Sequence, residues 1–207
     1  LDLKDMLNLN EEKLIFSQGY KLVGGVDEAG RGPLAGPVVA TCIVCNPTTE
    51  IVNELELVND SKKLTEKVRE ELFELINKEF SVGIGICDEA TIDRINILQA
   101  TFLAMKKAIS ALQVKPKFFL VDGKFAIPNC SYQQKPIIKG DTKVFSIAAA
   151  SIIAKVTRDR IMNKIHEQYP QYGFDRHKGY GTKFHLEQIK KHGPSPVHRK
   201  SFGPCRG

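Results

Sequence analysis

The sequence predicts an α/β fold, a sheet with helices packed against it. Short apolar runs rich in Val and Ile alternate along the chain with longer stretches of helical periodicity. The chain has 207 residues, 42% hydrophobic and 26% charged, which suits one large globular domain or a domain with a small appendage. No stretch approaches ~18 consecutive apolar residues, so no transmembrane span is expected.

The elements follow in order. Lys21–Val26 and Val38–Val44 read as strands, joined by a loop holding Gly30, Gly32, Pro33, Gly36 and Pro37. Thr65 is placed to cap a helix to about Lys78, with Val68, Leu72, Leu75 and Ile76 on one face. Ser81–Cys87 alternates like a strand. A long helix covers Ile95–Leu112 and stops before Lys115-Pro116. Phe118–Val121 is a short apolar strand running into Asp122-Gly123, and Gln134–Lys139 is a further strand leading to Gly140-Asp141. Ser146–His166 is a helix whose first turns, rich in Ala, permit close approach to a sheet. A Gly/Tyr/His-rich loop, Tyr172–Thr182, precedes a last helix, Lys183–Lys191, which stops at Gly193-Pro194. The expected division is a main domain over residues 1–165 and a helical extension with a basic tail over 166–207.

Charge is unevenly spread. Residues 1–100 carry 10 Lys+Arg and 18 Asp+Glu, a net of −8, whereas residues 101–207 carry 20 and 6, a net of +14. So basic a half suits a polyanionic partner, most simply nucleic acid; the plainer alternative is a solvated basic surface. The N-terminal stretch LDLKDMLNLNEEKL lacks the basic and then apolar run of a secretory signal, although a first residue other than Met suggests a trimmed chain. Five cysteines, odd in number and unevenly spaced, suit a reducing, cytoplasmic setting. Cys42 and Cys45 form a C-x-x-C on a strand; three residues apart, they point to opposite faces, so core placement is preferred over a shared metal.

The most informative feature is Asp27-Glu28, where the first strand hands over at Val26 to two adjacent carboxylates and a glycine-rich turn. Acids gathered at strand ends suit divalent cations, and glycine lets backbone approach a ligand closely. Asp122 follows the FFLV strand and Asp141 lies between lysines in KGDTK. In open α/β sheets, ligands gather at the carboxyl ends of strands. Four carboxylates there would repel one another unless two Mg²⁺ or Mn²⁺ ions, roughly 4 Å apart, joined them. The bland alternatives are simple pairing of Asp122 and Asp141 with lysine, and for Asp159 in TRDR a salt bridge on the helix surface. The histidines have no zinc-ligand spacing; His177 falls near Tyr180, and His198-Arg199-Lys200 reads as a basic tail.

VDEAGRGPLAGPVVA (Val26–Ala40), DSKKL (Asp60–Leu64), VDG (Val121–Gly123), KGD (Lys139–Asp141), IAAASIIAKVTRDR (Ile147–Arg160) and HKGYGT (His177–Thr182) together resemble the ordered motifs of the ribonuclease HII family. The resemblance runs from about Lys21 to Phe202. It implies a ribonuclease H-like fold, with a mixed five-stranded sheet flanked by helices and a C-terminal helical extension. It implies Asp27, Glu28, Asp122 and Asp141 as the catalytic, metal-holding acids. It implies cleavage of RNA–DNA hybrids, and of duplex DNA on the 5′ side of embedded ribonucleotides, leaving 3′-hydroxyl and 5′-phosphate ends. Gly30, Arg31 and Gly32 would read the 2′-hydroxyl through the backbone, and Tyr180 would pack at the RNA–DNA junction. Lys62, Lys63, Lys143, Lys178 and Lys183 are candidate phosphate contacts, although each alone reads more simply as a solvated lysine. A monomer is expected. Three rivals stand beside this reading: a nuclease or resolvase acting on DNA, a non-catalytic nucleic-acid-binding module, and a phosphate-binding ATPase. The glycine turn lacks G-x-x-x-x-G-K-[ST], which disfavours the last.

Overall fold

The computed structural model describes residues 7–51, 55, 58 and 64–206. Lys62 and Lys63, with the DSKKL turn up to them, lie outside the described residues. Five strands form one mixed sheet: β1 (Val23–Ala29), β2 (Val38–Cys45), β3 (Ser81–Cys87), β4 (Phe118–Asp122) and β5 (Gln133–Ile137), in the order β3-β2-β1-β4-β5. β1 is antiparallel to β2, and β2 to β3; β4 is parallel to β1, and β5 to β4. The parallel pairing matters for function. Val26 pairs with Val121, so Asp27 and Asp122 fall side by side just past the end of the β1–β4 ladder. β5 carries Pro136, which an edge strand tolerates because one of its sides needs no ladder donor.

The helices are α1 (Asn10–Ser17), α2 (Glu66–Glu79), α3 (Glu89–Ala111), α4 (Phe145–Gln168), α5 (Phe174–His177) and α6 (Lys183–His192). Thr65 caps α2 as expected, accepting the Val68 N–H at 3.3 Å. α3 begins six residues before the expected Ile95, capped by Asp88, and it is kinked at Asn96 (φ 66°, ψ 164°). The Asn96 side chain accepts the Gln99 N–H at 3.1 Å, so it caps the second half, the part that the periodicity revealed. α4 continues past residue 165 to Gln168. α1 was not anticipated from the sequence.

Two apolar layers enclose the sheet. On one face Val26, Cys42, Phe119 and Val121 meet α3; on the other Ile43 and Cys45 meet α2 and α4. Cys42 and Cys45 therefore sit in different layers, both buried and free, as strand alternation requires. α4 lies so close to β1 that a Cβ on Gly25 would stand 2.3 Å from the Ser146 carbonyl carbon. That contact is with backbone, which cannot yield cheaply. Gly25→Ala is expected to cost about 1–3 kcal/mol of stability, as overpacking of a filled core does; urea unfolding of the variant checks it.

Candidate active site

β1 does not end at Val26. It runs through Asp27 and Glu28 to Ala29, because its ladder with β2 continues to Ala29–Val39. The acids are thus held on a rigid strand rather than on a turn. Asp122 is the last residue of β4. Carboxylate oxygens of Asp27, Glu28 and Asp122 lie within 4.8 Å of one another. Asp141 sits in a short 3-10 turn, Gly140–Thr142, that precedes α4 and follows Lys139 in a left-handed conformation (φ 57°). It is buried and lines the same cleft, outside the cluster of three. The turn is tied to the cluster by the Gly140 N–H, which donates to Asp122 Oδ1 at 2.7 Å.

Burial pushes the Asp27 carboxyl well above its ordinary range, and the charges of Glu28 and Asp122 push it further. The Glu28 N–H at 2.7 Å and the Ser151 hydroxyl oppose that rise. Burial likewise raises Asp122, and the charge of Asp141 adds to it, against the Gly140 N–H. Adjacent acids held rigidly despite their repulsion form a set of hard oxygen donors, which fits Mg²⁺ or Mn²⁺. Arg31 offsets part of the charge, its Nη1 reaching Glu28 Oε1 at 3.1 Å.

The cleft, about 230 Å³, is also lined by Gly30, Arg31, Gly32, Ser151, Lys155, Arg158 and Tyr180. Tyr180 is 48% exposed, and a Cβ on Gly32 would lie 3.5 Å from its ring. The turn residues and Tyr180 therefore form one wall and the acids another. Lys143 and Lys178 do not line the cleft. Lys143 Nζ donates to the Ile138 carbonyl at 2.8 Å, and Lys178 Nζ donates to Asn163 Oδ1 at 2.6 Å and to the Asp175 carbonyl. Lys183 opens α6. Asp159 does form a salt bridge, but it is buried, and its partner is Lys155, at 2.6 Å, rather than a flanking arginine.

Sequence reasoning missed Ser151, Lys155 and Arg158. Their spacing along α4 puts them on the face turned to β1, a signal that the run of alanines obscured. It also misread His198 and Arg199. Neither belongs to a solvated tail: their exposures are 1% and 0%. Arg199 reaches back to the β1–β2 connection, and His198 meets His185 at 3.0 Å between ring nitrogens.

Comparison with known proteins resolves the family. The model of the family described as "Ribonuclease HII" matches residues 24–205. The chain belongs to the ribonuclease HII family. A ribonuclease HII of Clostridioides difficile (strain 630) is 56% identical over 188 residues, covering 90% of this chain and 72% of that one. One from Caldicellulosiruptor bescii is 54% identical over 193 residues, covering 93% and 91%. The crystal structure of ribonuclease H2 from Pyrococcus horikoshii OT3 superposes with a TM-score of 0.74 at 29% identity, covering 89% of this chain and 95% of that one. The ribonuclease H-like fold follows, with its mixed five-stranded sheet. As a ribonuclease HII the protein is a metal-dependent endonuclease that hydrolyses RNA in RNA–DNA hybrids. Among the described residues, no helix is long and apolar enough to cross a membrane.

Proposed function

We propose that this ribonuclease HII cuts duplex DNA on the 5′ side of a single embedded ribonucleotide as well as the RNA strand of hybrids, by two-metal-ion hydrolysis that leaves 3′-hydroxyl and 5′-phosphate ends. One observation carries the reading: a single cleft is lined by all four acids and also by Gly30, Arg31, Gly32 and Tyr180. Chemistry and recognition of the sugar thus share one site.

When bound, Mg²⁺ or Mn²⁺ activates the attacking water and stabilises the leaving oxygen. Asp27, Glu28, Asp122 and Asp141 would hold the two ions. Lys155, paired with Asp159, and Arg158, buried against backbone carbonyls, add positive charge near the acids and offset part of theirs. The 2′-hydroxyl is the one group that marks RNA within DNA, and the Gly30–Gly32 backbone can approach it without a side chain in the way. Tyr180, brought to the cleft by residues 166–207, offers a flat ring for the neighbouring deoxyribose. Recognition of the 2′-hydroxyl disfavours the DNA-nuclease reading, and a cluster of acids disfavours a module that only binds nucleic acid. The same proposal places the protein in the cytoplasm as a monomer serving replication and ribonucleotide excision repair.

The test is a labelled DNA duplex with one ribonucleotide, incubated with the protein and Mg²⁺ or Mn²⁺. Cutting 5′ to the ribonucleotide, absent from an all-DNA duplex and in chelator, supports the reading. Equal cutting of the all-DNA duplex would support the DNA nuclease instead. Tyr180→Ala is expected to lower the rate at the single ribonucleotide about tenfold or more. Its half-exposed ring should change stability by less than ~0.5 kcal/mol. Unchanged cleavage would reduce the ring to a packing role.

A further inference from the structure

Residues 30–37, which connect β1 to β2, are held from behind by two buried arginines. Arg199 Nε donates to the Gly36 carbonyl at 2.9 Å. Its Nη1 donates to the carbonyls of Arg31 at 3.1 Å and Pro33 at 2.7 Å. Its Nη2 donates to Gly30 at 2.6 Å and Pro37 at 3.2 Å. A guanidinium has five N–H donors, and here every one meets a backbone carbonyl of the same connection. Arg158 adds bonds to Pro37 at 3.0 Å, Ala35 at 3.0 Å and Lys178 at 2.9 Å. Among the described residues, no carboxylate forms a salt bridge with either arginine. Burial of an unpaired cation is costly, so these carbonyls are what keeps Arg199 in place.

The direction of those carbonyls matters. In a trans peptide the C=O and the following N–H point opposite ways, and the chain has no cis bond among the described residues. With the Gly30 and Arg31 carbonyls turned back to Arg199, the N–H groups of Arg31 and Gly32 turn away from it. The side away from Arg199 is the cleft that these residues line. Gly30 itself, at φ +98°, leaves no room for a Cβ, which would stand 2.2 Å from Arg158 Nε.

We infer that Arg199 is a positioning residue for ribonucleotide recognition: its five-carbonyl clamp aims the Arg31 and Gly32 N–H groups at the sugar in the cleft. The inference rests on the proposed reading of the 2′-hydroxyl by this turn. It makes the C-terminal segment part of the specificity apparatus. Asp93 of α3 secures that segment from outside, accepting the N–H groups of Lys200 and Ser201 at 2.9 Å each and the Ser201 hydroxyl at 2.6 Å. Lysine cannot replace the clamp: it has three donors on a point charge and no planar fork.

The experiment measures two quantities with Mg²⁺: KM for a duplex with one ribonucleotide, and Ki of the all-DNA duplex of the same sequence as competitor. Their ratio reports how strongly the 2′-hydroxyl is read. For Arg199→Lys, Ki should stay unchanged while KM rises about tenfold, the worth of roughly one hydrogen bond. A purely structural role would lower the active fraction and kcat while leaving the ratio intact, and that result overturns the inference. Asp93→Ala decides the matter if Arg199→Lys does not fold. A fall in the ratio of a few fold supports the clamp, and an unchanged ratio in folded protein overturns it. A wild-type protein whose own ratio is near one would instead defeat the reading of the 2′-hydroxyl itself.

Discussion

Asp27→Asn and Asp122→Asn are each expected to abolish Mg²⁺-dependent cleavage, a loss of roughly a thousandfold or more, while the folded protein persists. Metal ions held by these acids would supply several kcal/mol of transition-state stabilisation, and each 1.36 kcal/mol is tenfold in rate. The same substitutions should not weaken the metal-free fold. Asp27 is raised by burial and by the charges of Glu28 and Asp122, so its ionised form is held against its preference. An amide of the same shape relieves that repulsion. The metal-free Tm is therefore expected to hold or rise, whereas the rise in Tm on adding Mg²⁺ expected of the wild type should be reduced or lost. Calorimetry with and without Mg²⁺, beside the cleavage assay, checks both halves. Near wild-type cleavage in either variant would remove that residue from the metal site. A lower Tm in chelator would show that the carboxylate is structural.

The acids were legible because their surroundings are local. A strand of valines and glycines that runs into Asp-Glu is anomalous within a window of a few residues, and so is FFLV running into Asp122. Parallel pairing of β1 with β4 then brings the two together, a step that fold class supplies and periodicity alone does not. The limits were set by long-range contacts. Arg199 looked like part of a basic tail because its neighbours in sequence are His198 and Lys200, whereas its five acceptors lie more than 160 residues earlier. Charge read from sequence assumes water as the partner, and a buried guanidinium facing carbonyls breaks that assumption. α1 escaped notice for a related reason. Its buried carboxylate, Glu12, is matched by the Ser146 N–H at the start of α4, 134 residues away. The β1 boundary was misplaced because paired carboxylates suggest a turn, yet the ladder to β2 outweighs that preference.

Acid should unfold the protein through its histidine pair. The Ser195 N–H donates to His198 Nδ1 at 2.9 Å, which fixes that nitrogen as an acceptor. The neutral ring must then carry its hydrogen on Nε2 and donate to His185 Nε2 at 3.0 Å. His185 in turn must donate from Nδ1 to the Tyr180 carbonyl at 2.8 Å. One neutral tautomer of each ring satisfies the chain, and it anchors the backbone of Tyr180. A second proton on His198 would face the Ser195 N–H, and one on His185 would face the His198 N–H. Burial, with the neighbouring histidines, lowers both rings from 6.5 to about 4. The unfolded chain therefore binds more protons than the folded one between pH 6.5 and about 4, and stability falls as pH falls through that window. A shift of that size amounts to roughly 3 kcal/mol for one fully buried histidine, a large share of the stability of a typical domain. Asp27 and Asp122 work in the opposite sense, since raised carboxyls favour the folded state as they take up protons. The effect is cleaner in the Asp27→Asn, Asp122→Asn double variant, where two of the raised acids that oppose it are gone and raised Glu12 remains. Urea unfolding of that variant at pH 7 and at pH 4.5 should show the loss. Equal stability at the two values would mean that the rings accept protons in place, and that the His198–His185–Tyr180 chain does not hold the loop.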